Sequence, residues 1–133
     1  MANSTIPSKE SMLVRATLGL RLLLEVGLIG GIVVAANLNY AGATVWIASV
    51  VGVVTALAMW GVFAVPDDPS RSGKTVVVTP GAARLAIELG LFATVTIWLI
   101  VGEGYVYAAL LGSGTVIHYA SWPARIRWLM AQR

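Results

Sequence analysis

Long apolar runs dominate this sequence and limit it to one class of fold. They cover about residues 18–36, 43–65, 82–101 and 105–122. A membrane-spanning helix needs about 20 predominantly apolar residues, and each run approaches that length. With 58% hydrophobic and 11% charged residues, the chain has too few polar side chains to cover a water-soluble fold. We therefore expect an all-α integral membrane protein, a bundle of four transmembrane helices.

Polar segments between these runs predict the organisation of the chain. Residues 1–17 are expected to form a tail and residues 18–65 a first transmembrane hairpin, with a polar turn at 37–42. A loop at 66–80 leads to a second hairpin at 81–122, and residues 123–133 form an amphipathic interfacial tail. Residues 75–78 could form a strand, but with no visible partner they are interpreted as an extended lead-in to the third helix.

The positive charges predict the orientation of the spans. Every Lys and Arg lies on one side of them: Lys9, Arg15, Arg21, Arg71, Lys74, Arg84, Arg125, Arg127 and Arg133. Because basic residues collect on the cytoplasmic side of a membrane, we expect both termini and the central loop there. An aromatic belt is expected on that side, formed by Trp60, Tyr119, Trp122 and Trp128. Arg125 and Arg127 are expected to bind lipid headgroups.

A duplicated block indicates that the bundle is built from two related halves. Residues 21–28 recur at 84–91, with Arg, Leu, Glu, Gly and Leu in the same places, and residues 52–60 resemble 114–122. A hairpin returns to the side that it left, so the halves form a tandem, parallel repeat about an axis along the membrane normal. Such an axis would bring Glu25 and Glu88 to matching positions.

Small residues four positions apart indicate where the helices approach one another. Gly27 and Gly31 lie in the first helix, Gly52 and Ala56 in the second, and Ala108 and Gly112 in the fourth. This spacing lets helix backbones pack closely inside a membrane.

The candidate site is a layer of ionisable residues near the cytoplasmic end of the predicted bundle. Arg21 and Glu25, like Arg84 and Glu88, lie one helical turn apart on one face. His118 should lie at nearly the same depth, in the second half only. Ionisable groups at membrane depth commonly face the bundle interior and mark ion or proton pathways.

Several roles are open for this layer. Two carboxylates brought together would resist double ionisation and could share a proton, which His118 could relay. Two carboxylates and an imidazole could also hold a divalent metal. Alternatively, the Arg and Glu charges sum to zero and form ion pairs that only hold the helices in register, with His118 as an interhelical hydrogen-bonding residue.

Other chemistries find no support in the sequence. The chain has no cysteine, which excludes disulfides and thiolate metal sites. It shows no nucleotide-binding loop, nucleophile triad or zinc-binding helix, and no motif that reads nucleic acid. We therefore expect neither an enzyme nor a cofactor, and no nucleic-acid partner.

Two segments carry a resemblance to a known family. The block Arg84-Leu-x-x-Glu88-Leu-Gly-Leu-Phe92, which follows Trp60-Gly-Val-Phe63-Ala-Val-Pro66 and a polar loop, resembles the YrdB-like family of small bacterial membrane proteins of unknown function. The resemblance spans about residues 15–128. It implies a four-helix inner-membrane protein and supplies no activity, substrate or catalytic residue. Small multidrug transporters also have four helices and a membrane Glu. Their Glu has no Arg one turn away, and they have no tandem repeat of this kind, so the chain is not assigned to them.

Two functional hypotheses follow. The first is a small bacterial inner-membrane protein that binds or transports a small solute or ion through the layer of Arg21, Glu25, Arg84, Glu88 and His118. The second is a structural or accessory subunit in which the Arg and Glu pairs only hold the bundle together. Expected partners are membrane lipids and either a second copy or another membrane protein.

Overall fold

The computed structural model describes residues 9–68 and 74–133, with side chains from residue 12 onward. Within these ranges the chain forms five helices and two short strands: α1 (Lys9–Asn39), α2 (Ala43–Val62), β1 (Phe63–Ala64), β2 (Val77–Val78), α3 (Gly81–Val101), α4 (Tyr105–Ser121) and α5 (Pro123–Ala131). The expectations for residues 1–8 and 69–73, including Arg71, and for the side chain of Lys9 lie outside the described residues. Because α1 begins at Lys9, part of the segment predicted as a tail is helical.

Three helices are long and apolar enough to cross a membrane: Met12–Asn39, Ala43–Val62 and Gly81–Val101. The protein is therefore mostly helical, as the apolar runs predict, and has three candidate membrane-spanning helices. α4 has 17 residues and packs against α3 after a turn at 102–104.

The core lies between α1, α3 and α4, which all pack on one another. Leu28, Phe92, Leu99 and Leu111 are buried there. α2 packs mainly on α1 and has a smaller contact with α3, and it buries only Ser49 and Ala56. The two halves of the chain therefore pack unequally, since α4 enters the core and α2 lies at its edge.

Two of the glycines singled out by their spacing, Gly31 and Gly52, lie at close approaches between helices. A Cβ atom on Gly52 would lie 2.7 Å from Ile32 Cγ2, and one on Gly31 would lie 3.0 Å from Val95 Cγ1. Beside Gly31, the Tyr107 hydroxyl donates a hydrogen bond to the Gly27 carbonyl oxygen (2.9 Å). These contacts hold α1 against its three neighbours.

At one end of the bundle, α1 continues further than the sequence indicates. Residues 37–39, predicted as the start of a turn, are the last residues of the helix. The Asn39 side chain donates to the Ala35 carbonyl oxygen (2.8 Å) and to that of Trp98 in α3 (3.1 Å). The Trp98 carbonyl also accepts the backbone N–H of Gly102 (3.2 Å), so Asn39 adds a second donor that ties α1 to the end of α3.

At the other end, the prediction that residues 75–78 have no strand partner is wrong. β1 and β2 pair in parallel, with Phe63 opposite Val77 and Ala64 opposite Val78. The Thr79 N–H continues the ladder to the Ala64 carbonyl oxygen (2.9 Å). The partner strand exists because the chain stays extended as it leaves α2. This pairing places the start of α3 beside the end of α2.

α5 packs across the start of α3. It begins at Pro123, where a missing N–H costs no helical hydrogen bond, and it buries Arg125 and Leu129. The Gly81 N–H, the first of α3, donates to the Gln132 carbonyl oxygen (3.0 Å). A Cβ atom at position 81 would lie 1.7 Å from the Leu129 carbonyl oxygen. Only glycine permits this contact, which brings Arg125 towards the candidate site.

Candidate functional site

The candidate site lies at the end of the bundle where the arginines collect, called here the basic end (Arg21, Arg84 and Arg125). On α3 the buried positions Gly81, Arg84, Glu88, Phe92, Val95 and Leu99 recur every three or four residues, so they share one helical face. This periodicity turns both side chains inward, Glu88 towards α4 and α5 and Arg84 towards the end of α2. The ion-pairing residues of α3 thus lie on the same helical face as its apolar core residues.

Both copies of the Arg–Glu block form the same local ion pair. In α1, Arg21 Nε lies 3.0 Å from Glu25 Oε1, and in α3, Arg84 Nε lies 3.0 Å from Glu88 Oε1. Arg21 Nη2 also lies 3.7 Å from Glu88 Oε1, so Arg21 joins the two copies. The spacing of one helical turn therefore produces the contact that it predicts.

Glu88 is the centre of the network. Its side chain is 1% exposed, and Arg125 binds it through two nitrogens: Nη1 lies 3.0 Å from Oε2 and Nη2 lies 3.0 Å from Oε1. The Tyr119 hydroxyl donates to Oε2 at 2.6 Å. Two-point Arg–carboxylate bonds are among the strongest in proteins. Glu88 therefore joins α3, α4 and α5, with Arg21 of α1 nearby.

Glu25 has a different environment, although its block of sequence is the same. Its side chain is 34% exposed, and Arg21 is its one ion-pair partner in the described part of the chain. Glu25 borders a cavity of about 60 Å³ between α1 and α2, whose wall also includes Leu28, Ile29, Ala56, Leu57 and Trp60. The two carboxylates of the repeat therefore have different surroundings.

Arg84 fastens the end of α2 to α3. It is fully buried, and Nη1 donates to the carbonyl oxygens of Trp60 (2.9 Å) and Phe63. Carbonyls at the end of a helix have no partner within it, so the guanidinium supplies the missing donor. The Arg84 Cζ lies 5.0 Å from the Trp60 ring centroid, and the Arg21 Cζ lies 5.7 Å from it. One indole thus contacts both arginines of the repeat.

The prediction that Arg125 binds lipid headgroups is wrong, because this side chain is buried in the protein. Besides Glu88, it contacts Asp68 Oδ2 at 3.3 Å. Burial lowers the pKa of Arg125, but the hydrogen bonds and charge of Glu88, aided by Asp68, outweigh it and raise that pKa above its ordinary value. Leu129 lies one helical turn after Arg125, on the same buried face of α5. The spacing of this arginine from an apolar residue was the sequence signal that Arg125 turns inward.

Tyr119 was also missed as a site residue. The sequence places it in an aromatic belt, whereas its hydroxyl binds Glu88. A tyrosine one residue after His118 carries no signal of that contact, since only the packing of α4 on α3 brings the two side chains together.

His118 lies close to the network but outside its hydrogen bonds. It is buried, and its ring meets those of Tyr119 and Trp122 edge-on, at 5.1 and 6.0 Å between centroids. Among the described residues its Nδ1 has no hydrogen-bond partner, so no bond for proton relay joins it to Glu25 or Glu88. The described residues also gather no group of three or more His, Asp and Glu side chains that could hold a metal ion.

Comparison with known proteins agrees with the resemblance drawn from the sequence. A family described as "Protein of unknown function (DUF2568)" matches residues 19–116. The chain is 33% identical over 125 residues to the "Uncharacterized protein YrdB" of Bacillus subtilis (strain 168), covering 94% of this chain and 97% of that protein. No solved structure matches. The matched region contains both Arg–Glu blocks, and the chain belongs to the YrdB-like family of proteins of unknown function (DUF2568).

Proposed function

We propose that the protein is a non-enzymatic structural or accessory subunit of the bacterial cytoplasmic membrane. In this proposal α4 is a fourth span, both termini are cytoplasmic, and the Arg–Glu network fastens the cytoplasmic ends of the helices. The three long apolar helices and the collection of arginines at one end support this arrangement. The outer face of α2, with Trp46, Val50 and Val54 exposed, is available to lipids, a second copy or another membrane protein.

The environment of Glu88 is the observation that carries the proposal. A carboxylate that transfers protons or binds a transported solute must be accessible to that proton or solute. It must also be able to exchange its hydrogen-bond partners. Both oxygens of Glu88 instead accept bonds from fixed donors on α3, α4 and α5. This favours a role in holding helices together over a role in transfer.

The charge balance supports the same role. Three guanidinium groups and three carboxylates meet at the basic end: Arg21, Arg84, Arg125, Glu25, Glu88 and Asp68. Buried charges are retained in proteins when they are paired and hydrogen-bonded. The charges therefore balance within the protein.

The test compares Glu88→Gln with Glu25→Gln, singly and together, by thermal unfolding of the protein in mild detergent. Removing one partner of a buried ion pair typically costs about 3–5 kcal/mol, so we expect a large loss of stability for Glu88→Gln. Glu25 is partly exposed and has a single partner, so its change should cost less than about 1 kcal/mol. If Glu88→Gln kept or raised the melting temperature, the network would not be there for the fold, and the proposal would fail.

A second candidate function, the binding or transport of a small solute or ion, is favoured by Glu25. This carboxylate is partly exposed and borders a cavity, so a ligand can reach it without breaking the Glu88 network. The same variants discriminate between the two functions, because Glu25→Gln would then change ligand binding and leave stability nearly unchanged.

A further inference from the structure

We infer that the cavity beside Glu25 binds a primary ammonium group, as carried by aminophospholipid headgroups and by small free amines. This inference deepens the second candidate function, since it names the ligand class for Glu25, and it does not depend on the role of Glu88. The cavity lies between α1 and α2, with Glu25 on one helix and Ala56, Leu57 and Trp60 on the other.

One carboxylate oxygen is available to a ligand at this cavity. Arg21 Nε binds Glu25 Oε1, and in the described part of the chain no hydrogen bond reaches Oε2. Arg21 is shared between two carboxylates, because its Nη2 also lies 3.7 Å from Glu88 Oε1. An ionised carboxylate can accept bonds at both oxygens, so Oε2 can bind a further donor.

The other residues that line the cavity limit which kind of donor group can bind there. Leu28, Ile29, Ala56 and Leu57 are apolar, and the indole of Trp60 completes the wall. Ca²⁺ takes six to eight oxygen ligands and Mg²⁺ requires an octahedral set, whereas one carboxylate is the only acidic group of this lining. An ammonium group carries one positive charge and several N–H donors, and it needs a single carboxylate.

The size and setting of the cavity suit an ammonium group attached to a hydrocarbon chain. At about 60 Å³, it has room for about two water-sized groups. The surface around it is apolar, because Leu22, Val26 and Leu57 are all exposed beside Glu25. A ligand with a charged head and an apolar body would place the head at Glu25 and the body along these side chains.

The experiment measures lipid binding to the purified full chain in mild detergent by native mass spectrometry. The probes are phosphatidylethanolamine, which has a primary ammonium group, and phosphatidylcholine with identical acyl chains, whose quaternary ammonium has no N–H. We expect the protein to bind phosphatidylethanolamine about tenfold more tightly, as for one hydrogen bond to a charged group. Glu25→Gln should abolish this preference. Glu103→Gln, the same change at an exposed glutamate far from the cavity, should preserve it.

A water-soluble amine separates the two sources of the ammonium group. If millimolar ethanolammonium displaces the lipid, a free amine suffices for binding, and if it does not, the acyl chains contribute and the ligand is an aminolipid. Both results support an ammonium site. Equal binding of the two lipids to the unaltered protein, or a preference that survives Glu25→Gln, would overturn it.

A second variant guards against a folding defect in Glu25→Gln. Leu57→Trp fills the cavity from α2 and leaves the carboxylate in place, so it should also remove the preference for phosphatidylethanolamine. Melting temperatures of all variants are measured in parallel. A failure of the ammonium site would appear as unchanged lipid selectivity, whereas a failure of the structural role would appear as an unchanged melting temperature in Glu88→Gln.

Discussion

The two copies of the Arg–Glu block have the same local geometry and different surroundings. Both arginines bind their glutamate at 3.0 Å across one helical turn. In α3 the glutamate is also held by Arg125 and Tyr119, whereas in α1 it faces a cavity. The difference arises from the helices that pack on each copy, because α4 and α5 cover Glu88 and only α2 lies beside Glu25. A duplicated sequence has thus produced one buried junction and one accessible carboxylate.

The largest expected effect tests whether Arg125 accounts for this difference. Arg125→Met removes the two-point partner of Glu88 and leaves part of a buried charge uncompensated, so we expect a loss of about 3–5 kcal/mol in the free energy of unfolding. Arg127→Met, two residues away at an exposed position, should change stability little. Chemical or thermal unfolding in detergent measures both variants.

A double-mutant cycle with Arg125→Met sharpens the comparison. Residues in direct contact show non-additive effects, so Glu88→Gln should cost much less in the Arg125→Met background than alone. Its cost should still exceed that of Glu25→Gln, because Arg84 and Tyr119 continue to bind Glu88. Additive losses would mean that the environment of Glu88 differs from that of Glu25 for a reason other than Arg125.

An intermediate effect is expected where α5 meets α3. Gly81→Ala places a methyl group against the Leu129 backbone, and overpacking of this kind typically costs about 1–3 kcal/mol. We expect α5 to move away, so that trypsin cleaves after Arg125 more rapidly. Gly19→Ala is the matched control, because a Cβ atom at position 19 meets nothing within 4 Å. An unchanged cleavage rate in Gly81→Ala would contradict the expectation that the close contact at position 81 holds α5 in place.

The smallest effect concerns a position at which the two copies should still behave alike. Gly27 and Gly90 occupy the same place in the block, and a Cβ atom at position 27 would lie 3.6 Å from Leu111 Cδ1, an ordinary contact, while position 90 is open. Ala replaces Gly in a helix with a gain of up to about 1 kcal/mol. We expect Gly27→Ala and Gly90→Ala each to raise the melting temperature slightly. If Gly27→Ala lowered it, the copies would differ in helix packing as well as in charge.

The sequence predicts those features that depend on nearby residues. Hydropathy indicates the membrane class, and the spacing of Arg84 and Glu88 predicts their ion pair, because one turn of helix determines both. The unequal burial of Glu25 and Glu88 could not be predicted from two matching blocks. It depends on Arg125 and Tyr119, which reach Glu88 only after the chain has folded.

Short elements were the other source of error. Arg125 and Arg127 lie in the same short amphipathic segment, and only the buried Leu129, four residues after Arg125, distinguishes the arginine that turns inward. The pairing of Phe63–Ala64 with Val77–Val78 was missed because two-residue strands are too short to show an alternating pattern.

The contact between α5 and Glu88 has a consequence for biosynthesis. Arg125 follows Glu88 by 37 residues, and a chain is made from its N-terminus onward. Until α5 has been made, Glu88 can pair with Arg84 of its own helix, and Arg125 becomes available only later. A product interrupted before α5 would carry the apolar helices but leave the basic end open. Cellular proteases remove incompletely folded proteins. The open basic end would then distinguish an interrupted chain from a complete one.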